Sequence, residues 1–172
     1  MERKLEQKDV AGYLPYGLFT YVGTPNTEYS LLEAVSNNFI VFHFKSNRGF
    51  ENTATIDDIK PILRPLSDLY HTITHNGKEI VPIVELAKRA FKRINDWELK
   101  GNGAHSRKHK MRFRYNNNYS DKDRCGYFSS FSKDINQYQL FDYLHELKID
   151  YRGLIEAGLA IDCNTLDINP YK

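Results

Sequence analysis

Ile59-Lys60-Pro61-Ile62-Leu63-Arg64-Pro65-Leu66-Ser67-Asp68-Leu69 is the stretch on which the reading of the fold turns. Each proline fixes its own φ, removes an amide donor and pushes the residue before it, Lys60 or Arg64, towards extended backbone. On that reasoning a long helix and a central strand are both excluded here. The apolar side chains Ile59, Ile62, Leu63, Leu66 and Leu69 nonetheless recur at mixed three- and four-residue spacings, which predicts a kinked, largely buried connector with a short helical turn at each end. Its role is to pin a β-patterned N-terminal third to a middle and end that read mainly as helix, hairpin and helix.

On the N-terminal side, Thr55-Ile-Asp-Asp58 offers an N-cap with a carboxylate three residues on, so a short helix should lead into the connector. A Gly/Asn-rich loop at 46–53 precedes it. Further back, Leu18 to Val22, Thr27 to Val35 and Phe39 to Lys45 read as strands separated by turns at Thr24-Pro25-Asn26 and Ser36-Asn37-Asn38, an antiparallel meander. The run Phe39 to Phe44 is apolar on both faces and belongs in the centre of the sheet. His43, inside it, reads as a core or rim residue. Residues 2–8 allow one or two helical turns before Gly12, Pro15 and Gly17.

On the C-terminal side, Tyr70 to Thr74 and Glu79 to Ile83 flank His75-Asn76-Gly77-Lys78, and Asn-Gly is a strong hairpin signal because a type I′ turn needs positive φ at both central residues. His71 and His75 diverge on a strand and turn, so their spacing does not mark a metal site. Val84 to Leu99 reads as a helix with Ala87, Ala90, Phe91, Ile94 and Trp97 on one side and Lys88, Arg89, Lys92 and Arg93 on the other. Gly101-Asn-Gly103 ends it and a polar loop follows. Lys110 to Tyr115 alternates strictly, placing Lys110, Arg112 and Arg114 on one surface and Met111, Phe113 and Tyr115 on the other. After a long polar loop through Arg124, Cys125 to Phe131 returns as the paired strand. Ser132 or Asp134 caps a helix carrying Ile135, Tyr138, Phe141 and Leu144; Asp150 caps a second short one through Ala157, with Gly158 at its C′ position and a strand-like Leu159-Ala-Ile161 beyond. The fold class is therefore α+β: an antiparallel sheet from the meander, joined by hairpins, against a basic amphipathic helix and a C-terminal helical pair, in one compact domain over 1–172.

Composition narrows the function. The 172 residues are 41% hydrophobic, enough for a core, and carry a formal net charge of only +2. Within 88–114, however, Lys88, Arg89, Lys92, Arg93, Lys100, Arg107, Lys108, Lys110, Arg112 and Arg114 face only Asp96 and Glu98, a net +8 that leaves −6 for the remainder. Such asymmetry points to an acidic partner. No apolar run is long enough to span a membrane, and the charged start Met-Glu-Arg-Lys-Leu-Glu-Gln-Lys lacks a signal-peptide core, so the expected location is the cytoplasm. Cys125 and Cys163 form no disulfide framework and read as packed thiols.

Motifs for chemistry are missing. His105, His109 and Cys125 lack the paired cysteine spacing of a zinc site. No Gly-x-Ser-x-Gly turn, Walker pattern or dinucleotide glycine pattern occurs, and Asp57/Asp58 and Asp121/Asp123 read as caps and loop residues. No cofactor is implied, and nothing argues for an enzyme, although an active site assembled from distant residues is compatible with the chain.

Three pieces together resemble an uncharacterised family of short proteins carried by phages and prophages of gut Bacteroides-type bacteria. They are Tyr13-Leu-Pro-Tyr-Gly-Leu18; Pro61-Ile-Leu-Arg-Pro-Leu-Ser-Asp-Leu69 with His75-Asn-Gly77 and Val81-Pro-Ile83; and Gly153-Leu-Ile-Glu-Ala-Gly-Leu-Ala-Ile-Asp162 with Asn164-Thr-Leu166 and Asn169-Pro-Tyr171. They cover about a third of the chain and leave 84–131 outside. The resemblance implies a mobile-element accessory protein acting inside a bacterial host, with no catalytic residues to carry over.

The expectation is a non-catalytic protein that binds a polyanion, nucleic acid foremost, through a basic patch of Lys88, Arg89, Lys92, Arg93, Arg107, Lys108, Lys110, Arg112 and Arg114, with Tyr119 or Tyr127 able to stack on bases. The alternative is an inhibitor or adaptor whose basic patch meets an acidic host protein.

Overall fold

The computed structural model describes residues 3–22, 29–35, 40–43, 51–116, 126–130 and 135–172. In chain order the elements are α1 (Gln7–Val10), β1 (Leu18–Val22), β2 (Ser30–Val35), β3 (Ile40–His43), β4 (Glu51–Ala54), β5 (Ile59–Leu63), β6 (Ile73–His75), β7 (Lys78–Ile80), α2 (Pro82–Ala90), β8 (Trp97–Leu99), β9 (Ala104–Ser106), β10 (Met111–Asn116), β11 (Tyr127–Ser130), α3 (Gln137–Glu146) and β12 (Ile161–Asp162), with 3₁₀ segments between some of them, one of which, Ala11–Tyr16, carries the first helix on past Gly12 and Pro15. Helices and mainly antiparallel sheets make this an α+β protein. The chain divides into two compact units, Met1–Arg64 with Gly153–Pro170, and Pro65–Arg152 with Tyr171–Lys172.

The first unit holds a six-stranded sheet in the order β12-β5-β1-β2-β3-β4. The meander β1-β2-β3 is antiparallel and β3 lies in the interior of the order, as its apolar run implies. Two expectations are corrected. The region 46–53 is not all loop, because Glu51–Ala54 forms the edge strand β4. And the Pro61 segment is a strand after all, hydrogen-bonded antiparallel to β1 and parallel to β12. The proline is tolerated because β12 begins opposite Ile62, so at Pro61 that flank has no ladder bond to lose. The helical turns expected at the two ends are present at Ile56–Asp58 and Leu66–Tyr70. At the first, the Asp58 carboxylate accepts from Thr55 N at 3.2 Å and from Thr55 Oγ1 at 2.6 Å. Ile59, Ile62 and Leu63 are buried.

Beyond Gly153 the second short helix of the expected pair shrinks to a turn. Leu159 N donates to Leu154 O at 2.8 Å and Gly158 N to Ile155 O at 3.0 Å, the bond pair of a Schellman closure with Gly158 at φ +71°. The glycine was therefore read correctly and the helix before it was not.

The second unit is built on a four-stranded antiparallel sheet in the order β11-β10-β9-β8, beside the separate ribbon β6-β7, which pairs only with itself among the described residues. Asn76 (φ 51°) and Gly77 (φ 72°) make its two-residue turn. Helix α2 starts with Pro82 at its first turn and stops at Ala90, so the expected helix to Leu99 is half right: Trp97–Leu99 is β8. Ala87, Ile94 and Trp97 are buried as their spacing implies, with Ala90 and Phe91 half-buried, but the helix stops at Ala90 and the chain turns at Lys92-Arg93, where Ile94 N donates to Phe91 O at 2.9 Å, before it adds the strand. Phe91, Trp97 and Phe113 form an aromatic cluster with centroids 5.6–6.5 Å apart, and Phe128 stacks on Phe113 at 5.4 Å and meets Phe141 of α3 at 5.6 Å. One face of the sheet is thus covered by α2 and α3. The proposed caps Ser132 and Asp134, and also Cys125, Tyr119 and the 24–26 and 36–38 turns, lie outside the described residues. The cap that the structure describes is Asn136, whose side chain accepts from Gln139 N.

Candidate nucleic-acid interface

Along β10 the side chains alternate: Phe113 and Tyr115 enter the aromatic core while Arg112, Arg114 and Asn116 occupy the opposite, polar face. Register carries that face across the sheet. Glu98, His105 and Arg112 stand in one row on β8, β9 and β10, Arg114 is opposite Ser129, and Asn116 is opposite Tyr127. Tyr127 is 48% exposed.

A hollow of about 310 Å³ opens beside this row, lined by Lys100, His105, Arg107, Lys110 and Arg112, with Glu98. Arg107 Nε donates to Glu98 Oε1 at 2.5 Å, which neutralises that carboxylate. Arg112 Nε donates to His105 Nε2 at 3.1 Å, so the imidazole is an acceptor there and is held neutral. Burial, then the charges of Arg112, Lys100 and Arg114, hold His105 below its ordinary value.

The β9-β10 hairpin tip, Arg107-Lys108-His109-Lys110, ends with Lys110 in the left-handed region (φ 53°). Asp96 ties it down, accepting from Lys108 N at 3.0 Å, Ser106 Oγ at 2.8 Å and His109 Nδ1 at 3.2 Å. The Lys108 amide is the leading cause, ahead of Ser106 and His109, that holds the Asp96 carboxyl below its usual range. Ser106, His109 and Asp96 are the types of a catalytic triad, but serine and aspartate both meet the same ring nitrogen and Ser106 Oγ bonds directly to Asp96. The imidazole does not stand between them, so the arrangement fixes a turn and cannot relay a proton from serine to aspartate.

The helix cations lie elsewhere. Because α2 packs on the aromatic face, Lys88, Arg89, Lys92 and Arg93 are on the opposite side of the layer from Arg112 and Arg114, and the single patch expected from helix and hairpin is in fact two. Lys88 Nζ pairs with Glu85 at 2.6 Å. The Arg89 guanidinium stacks 3.7 Å from the Tyr143 centroid and lies 3.9 Å from Glu146. Lys92 and Arg93 follow the helix C-terminus, where cations suit the dipole. Of the expected residues, Arg107, Lys110, Arg112 and Arg114 meet at the sheet face, with Lys108 at the adjoining tip.

No family model, curated protein or solved structure matches the chain. Sequence reasoning counted Lys100 among the cations of 88–114 and weighed His105 only as a metal ligand, and it left both out of the patch because the strands that adjoin or carry them are three residues long, too short for alternation to register. Among the described residues no helix is long and apolar enough to cross a membrane. His71 and His75 are engaged separately, His71 by the Ser67 carbonyl at 2.9 Å and His75 by Glu146 at 3.2 Å.

Proposed function

We propose that this protein binds single-stranded nucleic acid on the polar face of the β8–β11 sheet, in the mobile-element setting that the family resemblance implies. The observation that carries the reading is the composition of that face: Lys100, Arg107, Lys110 and Arg112 share a hollow with one already neutralised carboxylate, Arg114 follows Arg112 on the same face of β10, and exposed Tyr127 stands opposite Asn116 beyond it. Cations supply sequence-independent attraction to phosphates, and an exposed ring supplies a stacking platform for an unpaired base. A shallow sheet suits a splayed strand better than a duplex groove, into which a helix or ribbon must enter.

Anisotropy titration of a random-sequence single-stranded oligonucleotide at two salt concentrations tests this. Affinity should fall with salt at a log–log slope of about −0.7 for each phosphate contact, and Arg112→Gln/Arg114→Gln should flatten it. No binding at low salt overturns the reading and moves the search to an acidic host protein.

A further inference from the structure

In the row Glu98, His105, Arg112 the histidine is the uncharged member, set between a carboxylate on β8 and a guanidinium on β10. Its Nε2 accepts from Arg112 Nε at 3.1 Å, so the ring proton is on Nδ1 and the Nε2 lone pair is committed to a cation. A protonated ring cannot keep that bond, because imidazolium and guanidinium only donate.

The charged groups around the ring come from every neighbouring element. Strand β8 brings Glu98, whose Oε1 accepts from Arg107 Nε at 2.5 Å, and Lys100 follows the end of that strand. Strand β10 brings Arg112 and Arg114, while Arg107 and Lys110 of the hairpin tip line the same hollow as His105. Asp96 and His109 are engaged with the neighbouring Ser106 hydroxyl. Desolvation, then the Arg112, Lys100 and Arg114 charges, keep the imidazole neutral in the free protein. An anion seated in the hollow offsets those charges, and its charged oxygen is a stronger acceptor for Arg112 than a neutral imidazole.

We infer that His105 is a conditional phosphate contact: as a phosphate oxygen takes over the Arg112 Nε–H, His105 Nε2 accepts a proton from solvent and donates it as a hydrogen bond to the same phosphate. The inference rests on the sheet-face reading and adds to it a binding residue whose contribution depends on pH. One proton is taken up from water, and no bond between heavy atoms is made or broken. Because the bound ring holds its proton more tightly than the free ring, affinity rises as pH falls through the midpoint of the bound ring and is flat above it.

Anisotropy titrations of the full chain with oligothymidylate lacking terminal phosphates, at constant ionic strength, test this, since the diester linkages keep their charge throughout. Between about pH 7.5 and about pH 5.5 wild-type affinity should rise roughly tenfold, and the log–log salt slope should steepen by about 0.7 at the lower pH. His105→Gln keeps an acceptor for Arg112 but takes no proton, so both changes should be lost in it. In parallel, the His105 ring titration is followed by ¹⁵N NMR and assigned by its absence in the glutamine variant. It should move to higher pH when sulfate, which does not titrate in this range, replaces chloride at equal ionic strength. A wild-type affinity that ignores pH, or a gain undiminished in His105→Gln, overturns the inference. Binding with the expected salt slope but no proton dependence sinks the His105 contact alone. No oligonucleotide binding at either pH, with the ring titration still moved by sulfate, sinks the sheet-face reading alone and leaves His105 as an anion contact. An unmoved titration in that case sinks both.

Discussion

Along β5, Ile59, Pro61, Ile62 and Leu63 are buried and Lys60 alone is exposed, whereas along β10 buried Phe113 and Tyr115 alternate with Arg112, Arg114 and Asn116. The first strand is enclosed by neighbours on both flanks and by burial on nearly every side chain; the second spends half of its side chains on a charged face. A strand of the first kind can only hold a fold together. The second holds a core with one face and presents chemistry with the other, which is why a candidate site arises on β10 and none on β5.

The contrast predicts a hierarchy of losses. Phe113→Ala removes the ring at the centre of the aromatic cluster and should cost about 3–5 kcal/mol. Leu63→Ala, fully buried in β5, should cost about 2–5 kcal/mol, with the lower end expected if the neighbouring chain collapses into the space. Urea denaturation of each variant against wild type measures both. A Leu63 variant as stable as its parent would contradict the anchoring role of β5.

Acid should weaken the second unit through His145. Burial, then the nearby Arg152 charge, push this imidazole down to about 4, and its Nε2 meets the Tyr151 hydroxyl at 2.8 Å. The folded state keeps the ring neutral while the unfolded chain takes a proton near its ordinary value, so the contribution is complete above about pH 6.5 and declines as pH falls towards 4. With the ring partly open to solvent, the loss should be on the order of 1–2 kcal/mol. Stability measured at about pH 7 and about pH 4.5 should differ less in His145→Gln than in wild type; an equal difference would show that other groups, His105 among them, carry the acid sensitivity.

A smaller effect is expected at Gly158. A Cβ there meets nothing within 4 Å, so Gly158→Ala adds only the cost of a left-handed alanine at φ +71°, roughly 1 kcal/mol. A much larger loss in thermal melts would mean that the turn before β12 supports more of the six-stranded sheet than its two-residue edge strand suggests.

What was legible in the sequence follows from the same contrast. Strict alternation over Lys110–Tyr115 announced β10 and the direction of its cations, and Asn76-Gly77 announced its turn. Pro61 misled, because a proline argues against a central strand only where both flanks need its N–H, and the length of β12 cannot be read from residues far along the chain. Ile94 and Trp97 fit helix spacing and are buried, yet on other backbone: three-residue spacing between apolar side chains does not by itself separate a helix from a turn entering a strand. The candidate site was half visible. Arg107, Lys110, Arg112 and Arg114 were named, but their separation from Lys88, Arg89, Lys92 and Arg93 depends on which face of the sheet α2 covers, a tertiary fact.

That separation supplies the most direct measurement. Two variants, Arg107→Gln/Lys110→Gln/Arg112→Gln on the sheet face and Lys88→Gln/Lys92→Gln/Arg93→Gln around the α2 C-terminus, remove the same charge from opposite sides of one layer, all at exposed positions. Both should melt close to wild type, since exposed substitutions shift stability by only about 0.5 kcal/mol. In salt titrations with a single-stranded oligonucleotide, the sheet-face variant should lose most of its affinity and flatten the log–log slope by about 2, while the helix variant stays near the wild-type slope. Equal losses in the two variants, or a loss confined to the helix variant, would contradict the account.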